Sequence, residues 1–218
     1  MEIIPNDLCE LCNKNEGICN LNGVLLCPLC FEEEKLNKKD NILSIITDNI
    51  ILGSSFEATC QEKLKELNVS NILVCGRELR YHKNENFIYK KLNLRDTNEE
   101  DLIIYLYDAF SYIDSSKKTV YIYCKKGISH SSSIVIGYLM YKNQLKYSDA
   151  YNYVKSNRKI INPNKNFIEQ LIMLEKYLEL NDYDIYSLKD MNYLSMKDWF
   201  KKLYDWFFIR KLNLELFF

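Results

Sequence analysis

The chain has 218 residues and a mass of 26.0 kDa, enough for one full-sized catalytic domain with a small appendage, or for two small domains. With 47% hydrophobic and 27% charged residues it must bury a real core, which excludes a short unstructured peptide; 29 Lys and Arg against 30 Asp and Glu leave a net charge of −1, so overall basicity gives no argument for nucleic acid. The 23 Asn against 3 Ala are the skew that AT-rich codon usage imposes, so Asn counts as background unless its position is special.

Residues 1–8 lack a basic region followed by an apolar run and a small-residue cleavage site, so no secretory signal is expected, and Glu2 excludes N-myristoylation. The most apolar segment, Trp206 to Phe218, is interrupted by Arg210, Lys211 and Glu215 and falls short of the ~18 residues a membrane span needs. The expectation is a soluble, cytoplasmic or nuclear protein whose eight Cys serve metal ligation or catalysis rather than disulfides.

Residues 1–40 hold Cys9-Glu-Leu-Cys12 and Cys27-Pro-Leu-Cys30, two Cys-x2-Cys knuckles 14 residues apart. Each such knuckle converges two thiolates, and two complete a tetrahedral sulfur shell around zinc. Asn22-Gly23 centres a hairpin over Ile18 to Leu26, and Phe31 to Leu36 starts a helix. Knuckle, hairpin, knuckle and helix together resemble a treble-clef zinc finger, with Cys9, Cys12, Cys27 and Cys30 as ligands of a structural zinc. Cys19, on the hairpin, is read as a spare thiol, with exchange for one of the four left open. A segment this short cannot hold itself together without metal or disulfides.

From Ser44 to Leu180 the pattern is mixed. Ile50 to Leu52, Asn71 to Cys75, Phe87 to Leu94 and Thr119 to Tyr123 read as strands. Ser54 with Glu57 forms a capping box ahead of a helix from Phe56 to Leu67, and Leu102, Leu106, Ala109 and Ile113 stripe a second helix. Helices follow at Ser131–Lys142, Ser148–Arg158 and Asn166–Leu180. The expected fold class is α/β, a central sheet flanked by helices, over residues 44–180. In the extension 181–218, Trp199, Leu203, Trp206 and Arg210 fall at helical spacing and Leu212, Leu214 and Leu216 alternate like a strand. This tail is expected to pack back on the domain, the alternative being a partner or membrane-surface contact.

The chemistry concentrates in Val120-Tyr-Ile-Tyr-Cys124-Lys-Lys-Gly127-Ile-Ser-His130-Ser131, where a buried strand ends at a Cys, a Gly loop follows and a helix begins. This order aims loop amides and the positive end of a helix at one point, an anion site whose dipoles stabilise a thiolate at its rim. Cys60 and Cys75 read as core residues, and His82 as solvent-facing.

Here the chain resembles the dual-specificity branch of the Cys-based protein tyrosine phosphatases, whose motif is H-C-x5-R-[S/T], over roughly Ile45 to Tyr177. Asp96 in Leu94-Arg-Asp-Thr97, 28 residues before the Cys, matches the general-acid loop at a slightly short spacing. Ser133 to Met140 matches the helix after the motif, and Asn162-Pro-Asn164 with Phe167, Gln170 and Leu171 matches the segment that buttresses it. The resemblance implies that Cys124 is the nucleophile forming a cysteinyl-phosphate. It implies that Asp96 protonates the leaving oxygen and then activates water, and that Ser131 helps the thiolate leave. Lys125, Lys126, Gly127, Ile128, Ser129 and His130 would form the phosphate loop, with no catalytic cofactor.

Two positions depart from the motif. His130 stands where the family has Arg, and Tyr123 where it has His. The Arg fork holds two phosphoryl oxygens through the transition state; His130 is shorter and offers at most two divergent donors. The reading is therefore a pseudophosphatase or very weak phosphatase that binds phosphorylated or other protein partners. The alternatives are an active tyrosine or serine/threonine phosphatase, and a zinc-finger interaction protein that uses the phosphatase domain as a platform.

Overall fold

The computed structural model describes residues 43–79, 84–95, 99–192 and 194–199, together with 19–21, 24–29 and positions 9, 97, 201 and 202. Near the N-terminus, β1 (Cys19–Leu21) and β2 (Val24–Leu26) pair antiparallel with Leu21 opposite Val24, the register of a two-residue turn. The strand pairing expected within Ile18 to Leu26 is there, while Asn22 and Gly23 lie outside the described residues. Cys9 and Cys27 are buried, while Cys12 and Cys30 lie outside the described residues.

The main sheet contains β3 (Ser44–Thr47), β4 (Ile50–Ser54), β5 (Val69–Cys75), β6 (Ile88–Leu92) and β7 (Thr119–Cys124) in the order β3-β4-β7-β5-β6. All pairs are parallel except β3 with β4. Parallel strands covered on both faces need no polar face, which is why β4, β5 and β7 read as nearly unbroken apolar runs. Edge strand β3 is not among the strands legible in the sequence, since its four residues alternate between buried and open positions.

Side chains of β7 sort by period 2. Val120, Ile122 and Cys124 enter the larger core, shared with α2 (Ile103–Ser115), α3 (His130–Asn143), α4 (Tyr147–Asn157) and α5 (Lys165–Leu180). Tyr121 and Tyr123 enter a smaller cluster with Ile51, Leu64, Ile72 and Phe87, over which α1 (Gln61–Glu66) lies. Helices α3 to α5 match their sequence reading to within a residue, and α2 carries Leu106, Ala109 and Ile113 of the expected stripe, with Leu102 at its N-cap.

The helix read from Phe56 to Leu67 needs correction. It is a single 3-10 turn, Glu57–Thr59, then a break at Cys60 (φ −80°, ψ 63°) and the short α1. Only half of the capping box forms: the Glu57 carboxylate accepts from the Ser54 amide, while the Ser54 hydroxyl caps nothing because Ser54 still belongs to β4. Glu57 is itself buried, with its other carboxylate oxygen 4.0 Å from Arg158 Nη1.

After α5 the chain turns back through a 3-10 turn at Tyr186–Leu188, and residues 194–199 are helical. Leu188 and Met196 are buried, and the Trp199 ring meets Tyr177 of α5 edge-on at 5.2 Å. The tail thus packs back on the domain through residue 199; Leu203, Trp206, Arg210 and the alternating leucines lie outside the described residues. No helix among the described residues is long and apolar enough to cross a membrane.

Candidate active site

Cys124 is the last residue of β7, the middle strand, and residues 125–129 connect it to the buried first turn of α3. The residue is 4% exposed, and its Sγ accepts two hydrogen bonds, from the Gly127 amide at 3.2 Å and from the Ser131 hydroxyl at 3.2 Å. Both donors converge on the sulfur from the loop and from the first turn of α3. Cys75, at the end of neighbouring β5, has its own thiol pushed well up by burial and by the nearby Cys124 charge.

The loop is held from outside. Lys125 O accepts from Ser55 N at 3.3 Å and Oγ at 3.1 Å. Lys126 O and Gly127 O accept from the Arg158 guanidinium at 3.2 and 2.9 Å. Ile128 O accepts from Asn162 N at 2.8 Å and Ser132 Oγ at 2.6 Å, and Ser129 O accepts from Ser133 N at 2.9 Å. In a trans peptide the carbonyl and the next amide point opposite ways, so carbonyls drawn outward leave the following N–H groups facing inward. Gly127 allows the bend with φ +66°.

The buttress read at Asn162 to Leu171 is in place. Asn164 caps α5, its Oδ1 accepting from Phe167 N at 2.8 Å, while its own amide donates to Ser129 Oγ at 3.1 Å. Buried Gln170 ties α5 to the start of α2: its Oε1 accepts from Leu102 N at 2.7 Å and its Nε2 donates to Glu100 O at 2.8 Å.

His130 opens α3, is 5% exposed, and lays its ring against Phe167 at 5.8 Å. Tyr123, in the position of the family His, projects to the opposite sheet face from Cys124 and stacks on Tyr121 at 5.4 Å. Lys125 is partly exposed and Lys126 exposed. Asp96 lies outside the described residues; its neighbour Arg95 pairs with buried Glu100 at 2.9 Å. No metal cluster of three or more His, Cys, Asp or Glu residues occurs among the described residues.

Sequence reasoning misses Arg158, Glu57 and Ser55 as parts of the site. Arg158 reads as a helix end, and only its place directly before the Asn162-Pro-Asn164 buttress hints at more.

A strand-ending Cys on a five-stranded sheet, a loop with anchored carbonyls and a Ser seven residues after the Cys together have the arrangement of a Cys-dependent phosphatase fold. A family model described as "Dual specificity phosphatase, catalytic domain" matches residues 50–177, and the chain belongs to that family. It is 34% identical over 148 residues to dual specificity protein phosphatase 1 of Arabidopsis thaliana, covering 66% of this chain and 75% of that one. It is also 34% identical over 150 residues to the protein-tyrosine-phosphatase MKP1 of the same plant, but spans only 19% of it. Among solved structures, the human tyrosine phosphatase-like serine/threonine/tyrosine-interacting protein superposes with TM-score 0.59 at 26% identity, covering 64% of this chain and 97% of that one. Human DUSP28 shares the fold, with TM-score 0.61 at 25% identity, covering 63% of this chain and 95% of that one.

Proposed function

We propose that this protein keeps the phosphate cradle of a dual-specificity phosphatase with little or no turnover, and uses the cradle to hold phosphorylated protein partners. The observation that carries the reading is position 130. A buried imidazole packed on Phe167 stands where the chemistry needs a planar cation bonded to two phosphoryl oxygens. Losing one preorganised donor at a developing charge costs ~10²–10³ in rate, and losing a bidentate cation should cost at least that. The solved human relative whose name carries "phosphatase-like" and "interacting protein" has the same fold at 26% identity and supports the reading by likeness.

A second reading, slow but genuine hydrolysis, is favoured by the Ser131 and Gly127 donors at Cys124 Sγ. In that reaction Sγ attacks phosphorus, the ester P–O bond breaks, and Asp96 protonates the departing oxygen. Water then cleaves the S–P bond, giving phosphate and the free thiolate, with Ser131 supporting the sulfur. The test is aryl-phosphate turnover of the wild type, Cys124→Ser and His130→Arg. We expect wild-type turnover near the Cys124→Ser background and a rise of about tenfold or more in His130→Arg. Robust wild-type turnover that Cys124→Ser abolishes would establish the second reading.

A further inference from the structure

Resting on that cradle reading, we propose that Arg158 is a positioning residue that aims the loop amides at the anion, so that the cradle is formed without a cation at position 130. Arg158 follows α4 and is 3% exposed, an expensive place for a permanent charge unless its donors are used. They are used on the loop: Nε donates to Gly127 O at 2.9 Å and Nη2 to Lys126 O at 3.2 Å, while Nη1 reaches Ser44 Oγ at 3.4 Å. Glu57 Oε1 lies 4.0 Å from Nη1 and balances the charge.

The guanidinium grips two successive carbonyls, a task suited to its planar fork. Lys126 O shares a peptide plane with the Gly127 amide, and that amide points at Cys124 Sγ. Gly127 O shares a plane with the Ile128 amide, which is turned inward by the same constraint. A Cβ on Gly127 would lie 2.6 Å from Arg158 Nη2, so guanidinium and loop are in direct contact with no room between them. Arg158 thus acts through the amides, with its charge balanced by Glu57 in the 3-10 turn after β4.

The test uses the full-length chain with Arg158→Gln and Arg158→Lys, read by the backbone amide resonances and by calorimetric affinity for sulfate. In Arg158→Gln the Gly127 and Ile128 amides should move more than any amide of β6, and sulfate affinity should fall about fivefold or more. Arg158→Lys keeps the charge but reaches one carbonyl, so one of the two amides should move and the affinity should fall less. If Arg158→Gln does not fold, Arg158→Lys decides by the same resonances. A folded variant with both amides unmoved overturns the proposal, even if its melting temperature drops, because the role would then be structural only. A wild type that fails to bind sulfate while the amides shift as described supports the positioning role and sinks the cradle reading instead.

Discussion

Gly127 carries more of the site than its size suggests. Its φ of +66° lies in the left-handed region, and a Cβ there would stand 2.5 Å from the backbone oxygen of Gly53 as well as against Arg158. A side-chain tip can swing aside, but the Gly53 backbone, paired within the sheet, cannot. Gly127→Ala should cost about 2 kcal/mol or more of unfolding free energy and lower sulfate affinity, measured by urea denaturation and calorimetry. Stability within a few tenths of a kcal/mol of wild type would show that the loop can reshape freely. At this scale the candidate site was largely legible: Cys124, Gly127 and Ser131 stand out because a Cys at a strand end, a lone Gly and a Ser at a helix start occur in a fixed order. Arg158 did not stand out. Its partners are backbone carbonyls some thirty residues away, and no side-chain pattern marks a carbonyl.

Between elements, the junction of α2 and α3 has its own chemistry. Asp114 of α2 accepts from Tyr138 Oη at 2.8 Å, Tyr141 Oη at 3.2 Å and Lys142 Nζ at 2.6 Å, all on α3. Burial first, then the Asp114 charge and hydrogen bonds, push both phenols up; the hydrogen bond to Asp114 does most to raise Lys142. A phenol that resists ionisation only in the fold contributes stability that is present below the unfolded value near ~10 and is lost as pH rises beyond it; the Lys142 shift has the same sign. Stability measured by urea denaturation should therefore hold between about pH 7 and 9 and fall above about 10. Asp114→Asn should be less stable at neutral pH and show a shallower alkaline fall. An equally steep fall in the variant would show that Asp114 does not govern the junction. Helices α2 to α5 were readable because helical periodicity is a local signal. The interrupted segment after β4 was not, since the break at Cys60 and the burial of Glu57 near Arg158 depend on packing against distant parts of the chain.

For the molecule as a whole, the zinc proposal stands on the two Cys-x2-Cys knuckles and on the hairpin register between them. Cys9 and Cys27, one from each knuckle, are buried, while Cys12 and Cys30 lie outside the described residues. Metal analysis of protein prepared without chelator should find about one zinc per chain, and Cys9→Ser should remove it. Metal-free protein with an intact hairpin would overturn the assignment. By itself the sequence determined the α/β class, the position of the strand-ending Cys124 and the departure from the family motif at His130, because strand runs, helical periods and motif order are written along the chain. Only the tertiary structure decided which sheet face each β7 residue enters, so that Cys124 and Tyr123 part company. Likewise it alone placed His130 against Phe167 and Arg158 beneath the loop. These depend on parallel pairing and on buried polar contacts between distant segments, which must be satisfied somewhere but whose partners are chosen by packing.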